Sequence, residues 1–252
     1  MSLKNLIGYS VITPDGDAGK IEDIFFDDLT WSVRYYRVKG GSLVNKERFL
    51  ISPKDIQEHP DWTNRSVYIR NKAEKINKSP DAGEEKLPSK EVEQKIAEYY
   101  DWPVYWTGLT YGSPIIPPLF NEEKEIADES EKEKTAKEKK ATEPELRSLK
   151  ELLEYAVEAV DGELGTVDDV IMEDEDQKIM YFAVDTHKIL PGKKVLITTT
   201  WAEAADWRNE KLVTMLTKEE IKNSPKYEPG QPVNREYEEV LFDYYGRPRY
   251  WE

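Results

Sequence analysis

The sequence predicts a mainly β protein made of two small, partly open antiparallel β-barrels, each with short helices, a C-terminal helix and an aromatic tail. Three observations predict this fold class. The chain contains an internal repeat, each copy has about five short runs with strand-like alternation, and Asp-Gly turn signals separate some of these runs. Short strands joined by tight turns tend to curl into a barrel, because closure hides their edges.

The internal repeat sets the predicted domain boundaries. Gly16 returns as Gly162, an offset of 146 positions, and after one deletion an offset of 145 carries Trp106 onto Trp251. The predicted organisation is a first barrel at 1–106, a connecting region at 107–146 and a second barrel at 147–252. The connection begins as a Pro/Gly-rich arm, whose Ile115, Ile116, Leu119 and Phe120 we expect to lie against a barrel. It continues as a charged segment with the composition of a disordered spacer.

Composition excludes several classes of function. The formal net charge of -15 repels phosphate backbones and anionic lipids, so we expect no nucleic-acid partner. The chain has no cysteine, which removes disulfides, thiolate nucleophiles and cysteine-based metal sites. It contains no stretch of about 18 apolar residues and no signal-like N-terminal segment. We therefore expect a cytoplasmic protein that does not span a membrane.

The strands of both copies are predicted in the same order. In the first copy they cover 9–13, 19–26, 33–38, 49–51 and 67–70, and in the second copy 155–160, 165–172, 179–184, 195–197 and 212–215. An Asp-Gly hairpin turn joins the first two strands of each copy. The structural turn residues are Asp15, Gly16 and Gly19 in the first copy and Asp161, Gly162 and Gly165 in the second.

Capping residues predict the helices. Ser2 and Ser148 are expected to cap one helical turn each, and Ser89 and Asn234 the C-terminal helix of each copy. A further short helix is expected after the fourth strand. Its caps are Ser52 with Asp55 in the first copy and Thr200 with Glu203 in the second.

Taken together, these motifs resemble the PRC-barrel family, which includes the cytoplasmic domain of the photosynthetic reaction-centre H subunit. The resemblance rests on the Asp-Gly-x-x-Gly-x-Val/Ile-x-Asp hairpin, the third strand 181–186, the run 190–195, the Ser-Pro element and the Tyr-Tyr-x-x-Pro-x-Tyr-Trp ending. It covers both copies and leaves out the connection. It implies a protein-binding or scaffolding module, as in the H subunit, in a ribosome-maturation factor and in stand-alone microbial proteins.

The sequence offers little material for catalysis or metal binding. The two histidines, His59 and His187, do not recur in the other copy, and we expect both to be surface or structural side chains. The acidic turn Glu173, Asp174, Glu175 and Asp176 is a weak metal candidate, because it lacks the ligand spacing of an EF-hand loop. No cofactor and no catalytic residue is predicted.

Aromatic side chains at matched positions are the candidate interface. They are Trp62, Tyr100, Tyr105 and Trp106 in the first copy and Trp207, Tyr245, Tyr250 and Trp251 in the second. Aromatic residues dominate both protein cores and binding hot spots. The tails can therefore fold back over the barrels or form a surface for a partner.

The function that the sequence favours is a non-enzymatic, cytoplasmic protein-binding or scaffolding protein of the PRC-barrel type, acting as a regulatory or assembly adaptor. The partner would be a protein of unknown identity, with homodimerisation through open barrel edges as a further expectation. Two alternatives stay open. One is an H subunit-like protein associated with photosynthetic or quinone electron transport. The other is an enzyme or small-ligand receptor with a pocket between the repeats.

Overall fold

The computed structural model describes residues 1–83, 85–107 and 144–251. Residues 108–143, which hold most of the predicted arm and spacer, lie outside the described residues.

The first unit is a six-stranded sheet that folds on itself as a partly open barrel. Its order is β4-β3-β2-β1-β5, and β6 adds to β2 from further along the chain. The strands are β1 (Ser10–Thr13), β2 (Gly16–Asp27), β3 (Val33–Gly40), β4 (Arg48–Ile51), β5 (Ser66–Tyr68) and β6 (Leu146–Ser148).

The second unit repeats the order of the first five strands as β10-β9-β8-β7-β12, and its sixth strand, β11, pairs with β12 instead. Its strands are β7 (Ala156–Ala159), β8 (Gly162–Glu173), β9 (Lys178–Asp185), β10 (Lys194–Thr198), β11 (Ala202–Asp206) and β12 (Lys211–Thr214). The predicted fold class, mainly β with two partly open barrels, is confirmed.

The long strands β2 and β8 give each barrel its curvature. Their pairing with β3 and β9 shifts register twice, around Glu22 and after Phe25 in the first unit and at the matched positions of the second. Extra residues at such bulges bend a strand and increase its twist. As a result, one end of β2 pairs with β1 while its other end, from Phe25 to Asp27, pairs with β6.

One pairing in each unit differs from the predicted all-antiparallel arrangement. β5 lies parallel to β1, and β12 lies parallel to β7. Parallel neighbours need a crossover connection, and the segments from β4 to β5 and from β10 to β12 provide it. Each of these pairs extends its sheet beyond the first strand of the unit, while the two end strands of the sheet stay unpaired with each other.

Five α-helices lie among the described residues. They are α1 (Ala73–Lys78), α2 (Lys90–Tyr100), α3 (Leu149–Leu152), α4 (Lys218–Asn223) and α5 (Arg235–Tyr245). The predicted caps of α2 and α5 are confirmed, since Ser89 accepts a hydrogen bond from the Val92 amide and Asn234 from the Tyr237 amide. Ser148 caps α3 in the same way.

The helix predicted after the fourth strand is reduced to a single 3-10 turn in each unit. In the first unit the Ser52–Asp55 capping box is present, but the turn ends at Asp55. In the second unit the predicted cap Thr200 is wrong, because Thr200 lies inside the turn Thr199–Trp201 and Thr198 precedes it. The chain then enters β11, where a pairing with β12 satisfies its backbone groups instead.

A single hydrophobic core runs through both units. It joins residues such as Leu3, Ile24 and Phe26 of the first unit to Leu149, Val170 and Phe182 of the second. A separate cluster lies under α2 and includes Phe25, Tyr35, Tyr100, Tyr105 and Leu146. The two barrels are therefore packed against each other within the described residues.

Candidate functional site

The predicted turn residues shape the first hairpin of each unit. Thr13 pairs with Gly16, so Pro14 and Asp15 form the two-residue turn and Gly16 is the first residue of β2. Gly19 lies inside β2, where a Cβ atom would come 2.0 Å from the Lys39 carbonyl oxygen. The glycine is needed because two backbones approach closely there.

The aspartates of these turns connect the hairpin to the helices. Asp15 accepts a hydrogen bond of 2.9 Å from the backbone amide of Ala73, the first residue of α1. Asp161 accepts one of 2.9 Å from the amide of Lys218, the first residue of α4. Both hairpins therefore cap a helix that follows the last strand of the barrel.

Two reciprocal hydrogen-bond clusters join the units. The Ser2 hydroxyl donates to Oδ2 of Asp169 at 2.5 Å, and the Lys4 amide donates to its Oδ1 at 3.1 Å. In the other direction, the Ser148 hydroxyl donates to Oδ2 of Asp23 at 2.7 Å, and the Lys150 amide to its Oδ1 at 3.2 Å. These residues match pairwise at the repeat offset. Each copy therefore contributes its first residues to the barrel of the other copy, about a pseudo-twofold axis.

The same axis passes close to the pairing between β3 and β9. Ser32 forms an isolated antiparallel β-bridge with Lys178, which is its own equivalent in the repeat. The Val33 amide donates to the Gln177 carbonyl and the Ile179 amide to the Trp31 carbonyl, both at 2.8 Å. This reciprocity is the geometry of an isologous interface, here formed within one chain.

A cleft of about 660 Å³ opens between the two units. The first unit lines it with Met1, Ser2, Asn5 and Trp62, and the second unit with the end of β8, the loop before α5 and the aromatic tail. Its volume lies in the range of ligand-binding clefts. The cleft combines Trp62 of the first copy with aromatic, acidic and basic side chains of the second.

A carboxylate held between two tyrosines forms one wall of the cleft. Oε1 of Glu238 accepts hydrogen bonds from the Tyr181 hydroxyl at 2.7 Å and the Tyr250 hydroxyl at 2.9 Å. Arg235 pairs with Oε2 at 2.9 Å and lies over the Trp251 ring at 4.1 Å. Burial first, and then the hydrogen bond to Glu238, raises the pKa of Tyr181, so this hydroxyl stays a donor.

The first unit repeats this arrangement away from the cleft. The Tyr105 hydroxyl donates to Oε2 of Glu93 at 3.1 Å, and Tyr35 bonds the same carboxyl. Burial raises the pKa of Glu93 to about 7 and outweighs these hydrogen bonds. Because the arrangement occurs in both units, its common role is to fix the C-terminal helix and tail against the third strand.

The equivalent regions of the two units differ in how they are filled. In the first unit Arg34 lies over the Tyr105 ring at 4.7 Å and bonds Asp27 at 2.8 Å. The second unit has Met180 at the place of Arg34. Tyr105 is consequently only 6% exposed, whereas its equivalent Tyr250 is 45% exposed. The space beside the aromatic tail is therefore open in the second unit, where it forms part of the cleft, and filled in the first.

The structure distributes the eight candidate interface aromatics over several environments. Trp62 and Tyr250 line the cleft. Trp207 packs between Trp31, Phe26 and Tyr155 at the contact between the units. Tyr100 and Tyr105 are buried, while Trp106, Tyr245 and Trp251 pack partly buried against the cores of their own units.

The acidic turn and the histidines also have defined places. Oδ2 of Asp174 lies 3.4 Å from Nδ1 of the exposed His59, across the two units, and Glu173 ends β8. His187 lies 3.6 Å from Asp185. Within residues 1–83, 85–107 and 144–251, no group of three or more His, Asp or Glu side chains has the geometry to hold a metal ion.

Sequence reasoning missed the Tyr–Glu–Tyr arrangements and the reciprocal contacts. Glu93 and Glu238 match at the same offset as the tails, and each lies on the apolar side of its helix. That coincidence is the signal that identifies a buried carboxylate. Asp23 and Asp169 also occupy matching positions in the repeat, but the serines that bond them, Ser148 and Ser2, lie far away in the sequence.

The fold and the cleft define a protein of two similar, face-to-face small β-barrels. Within it, residues 144–221 match the PRC-barrel domain, so the second unit contains this domain. Five strands of the first unit have the same order as their counterparts in the second, which supports the tandem arrangement that the repeat predicts. Comparison with curated proteins gave no match for the chain. None of the described helices is long and apolar enough to cross a membrane.

Proposed function

We propose that this protein is a non-catalytic cytoplasmic adaptor of the PRC-barrel type, which binds part of a partner protein in the cleft between its two units. The observation that carries the proposal is the difference between equivalent sites. Tyr250 is exposed in an open cleft, whereas Tyr105 is covered by the chain itself. An exposed aromatic side chain within a concave, two-sided site is typical of an interface hot spot.

The arrangement of titratable groups supports binding over catalysis. The Tyr–Glu–Tyr arrangement of the cleft recurs in the first unit, where Arg34 and Tyr105 fill the equivalent space. Because the Tyr–Glu–Tyr arrangement serves packing in both units, its presence in the cleft does not indicate catalysis. Tyr181 has a raised pKa and bonds a carboxylate, so it is a poor general base.

Site-specific photo-crosslinking in living cells that produce the protein tests the proposal. A benzophenone amino acid replaces Gln231, which is exposed at the rim of the cleft. The matched control replaces Gln94, an exposed glutamine on α2 outside the cleft. We expect a discrete protein adduct from position 231 and none from position 94. Equal adduct patterns from both positions would contradict the proposal.

A second candidate, a receptor for a small ligand, is favoured by the cleft volume of about 660 Å³ and by its aromatic and charged lining. Metabolite screening by thermal shift tests it. The control is Met180→Arg, which introduces the residue that fills the equivalent space in the first unit. A true cleft ligand raises the melting temperature of the wild type and not of this variant.

Self-association and a role in electron transport are two further proposals. Self-association through the outer strands β4, β5, β10 and β11 is a separate proposal, which light scattering over a range of protein concentrations tests. An association with photosynthetic or quinone electron transport rests on the resemblance to the H subunit alone.

A further inference from the structure

A second pocket, of about 500 Å³, lies on the first unit and shares no lining residue with the cleft. It is formed by the residues that follow β5, by α1 and by one side chain of α2. The lining residues are Arg70, Asn71, Lys72, Glu74, Lys75, Lys78 and Tyr99. Four of these seven side chains are cations, in a protein whose net charge is -15. The pocket is therefore a local positive region on an acidic protein.

The fold does not require these cations, because the equivalent residues of the second unit include none. Those residues are Met215, Leu216, Thr217, Glu219, Glu220, Asn223 and Tyr244. The tyrosines keep the same role in both units. The Tyr99 hydroxyl donates to the Lys75 carbonyl at 2.9 Å, and the Tyr244 hydroxyl donates to the Glu220 carbonyl at 2.7 Å. Both units thus build the same surface, and only the first unit places cations on it.

Two of the lysines take the place of a helix cap. In the second unit Thr217 and Glu220 form a capping box at the start of α4. Lys72 and Lys75 occupy the equivalent positions of α1, and no side chain caps this helix from the position of Lys72. A lysine side chain cannot accept a hydrogen bond from a backbone amide, so the stabilisation by a cap is lost. Natural proteins keep such locally unfavourable residues mainly at functional sites.

Three of the four cations form no ion pair within the part of the chain that the structure describes. The Arg70 guanidinium donates to the Lys54 carbonyl at 2.6 Å, which fixes its position. Nζ of Lys75 lies 5.1 Å from the centre of the Tyr100 ring. Lys72 is exposed and lies three positions before Lys75, a spacing at which like charges repel. An anion bound among these side chains would relieve the repulsion.

The carboxylates near the pocket already have partners. Glu74 pairs with the fourth cation, Lys78, at 2.7 Å. Asp15 accepts the first amide of α1 at 2.9 Å. Asp55 hydrogen-bonds Asn71, the one buried residue of the lining. Because the amide at the start of α1 is occupied, an anion in this pocket would be bound by the cationic side chains.

We propose that this pocket binds a small soluble metabolite that carries a diphosphate group. The planar Arg70 guanidinium matches the oxygens of a phosphate, and the lysines add point charges. Four cations and one carboxylate line the pocket, and two phosphate groups with about three negative charges would neutralise them. The volume falls in the range of metabolite sites, and the half-exposed Tyr99 ring offers an apolar surface for the rest of the molecule. This site goes beyond the proposed adaptor function, because it lies outside the cleft.

Isothermal titration calorimetry of the full-length protein with inorganic pyrophosphate tests the proposal. The titration is made in about 0.15 M NaCl, because salt screens weak attraction between exposed charges. We expect saturable binding with one site per chain and a Kd below about 1 mM. Sulfate at the same ionic strength carries fewer charges and should bind at least about tenfold more weakly.

A variant that introduces the residues of the second unit locates the site. Lys72→Thr with Lys75→Glu should weaken pyrophosphate binding at least about tenfold. The same two substitutions supply a capping box, so the melting temperature should rise and unfolding would not explain the loss. The matched control is Lys218→Thr with Lys222→Glu on α4, which changes the net charge by the same amount. Its affinity should stay within about twofold of the wild type.

Several results would overturn this inference. The absence of saturable binding, an equal loss in both double variants and a loss in neither would each do so. Binding of a hexaglutamate peptide but not of pyrophosphate would assign the pocket to an acidic protein segment. Sedimentation with vesicles that contain phosphatidic acid, without pyrophosphate binding, would assign it to a membrane surface. None of these results bears on the cleft, where crosslinking from position 231 tests the adaptor function separately.

Discussion

The Ser148 hydroxyl donates a 2.7 Å hydrogen bond to Oδ2 of Asp23, a residue 125 positions earlier in the chain. The Asp23 carboxyl also accepts the backbone amides of Ile24 and Lys150. Asp23 is 1% exposed, and burial raises its pKa. The contact between the units thus depends on a buried acceptor that satisfies three donors.

Replacing this acceptor should loosen the contact between the units. We expect Asp23→Ala to lower the free energy of unfolding by about 2 kcal/mol, because the Ser148 hydroxyl and two amides lose their partner in a buried place. Asp169→Ala should have a similar effect at the reciprocal contact with Ser2. Urea unfolding measures both. Glu58→Ala at an exposed carboxylate is the control, and equal effects from all three variants would contradict the interpretation.

The glycines inside β2 and β8 give a sharper test of backbone geometry. At Gly165, with φ of +158°, a Cβ atom would come 1.8 Å from the Asp185 carbonyl oxygen. We expect Gly165→Ala to destabilise the protein by more than about 3 kcal/mol, because the two strands must separate.

Gly192 provides the matched control for this substitution. It also has a positive φ, +79°, but a Cβ atom there meets nothing within 4 Å. Gly192→Ala should cost only about 1 kcal/mol, which is the backbone strain alone. Thermal unfolding followed by circular dichroism compares the two variants. A cost at Gly165 no larger than that at Gly192 would show that the close approach is not needed.

Trp31 packs between the two units. It stacks on Phe26 at 5.5 Å and meets Phe182 edge-on at 5.1 Å. Trp31→Ala should lower the free energy of unfolding by about 3 kcal/mol, because it leaves a cavity between the barrels. Trp62→Ala, which removes a half-exposed tryptophan, should cost less than about 1 kcal/mol. If both substitutions cost the same, Trp31 does not join the units.

The strands could be predicted from the sequence because their signals are local. Alternation along Ile21 to Phe25, the glycines of the hairpins and the caps Ser89 and Asn234 each specify their own segment. The short helices α1 and α4 gave weaker signals and were missed. β11 was mistaken for a helix, because its sequence has little β propensity and its pairing with β12 decides its conformation.

The site could not be predicted, because it depends on contacts between distant segments. Asp23 and Asp169 have the same local sequence that a solvated strand carboxylate would have, and only the N-terminal residues of the other copy bury them. The cleft depends on a difference between equivalent positions, such as Arg34 and Met180. That difference is visible in the repeat alignment, but its meaning requires knowing that both positions face an aromatic tail.

The buried carboxyl of Glu93 should make stability depend on pH. Its neighbours are the hydroxyls of Tyr35 and Tyr105 and the cations Lys90 and Arg34, and burial outweighs them to raise the pKa from 4.5 to about 7. A raised folded-state pKa means that the folded state holds the proton more tightly than the unfolded state. Its stabilising contribution is complete below about pH 4.5 and is lost as the pH rises through about 7.

Glu93→Gln isolates this contribution from those of the other buried carboxyls. Glutamine keeps the shape of the side chain and does not ionise, so the variant should gain about 2 to 3 kcal/mol relative to the wild type between pH 4.5 and pH 8. Urea unfolding at intervals across this range measures the difference. The exposed substitution Glu58→Gln should give a difference that does not change with pH. A wild type and Glu93→Gln variant with parallel pH profiles would mean that Glu93 ionises at its ordinary pKa, and that its two tyrosines and Lys90 offset the burial.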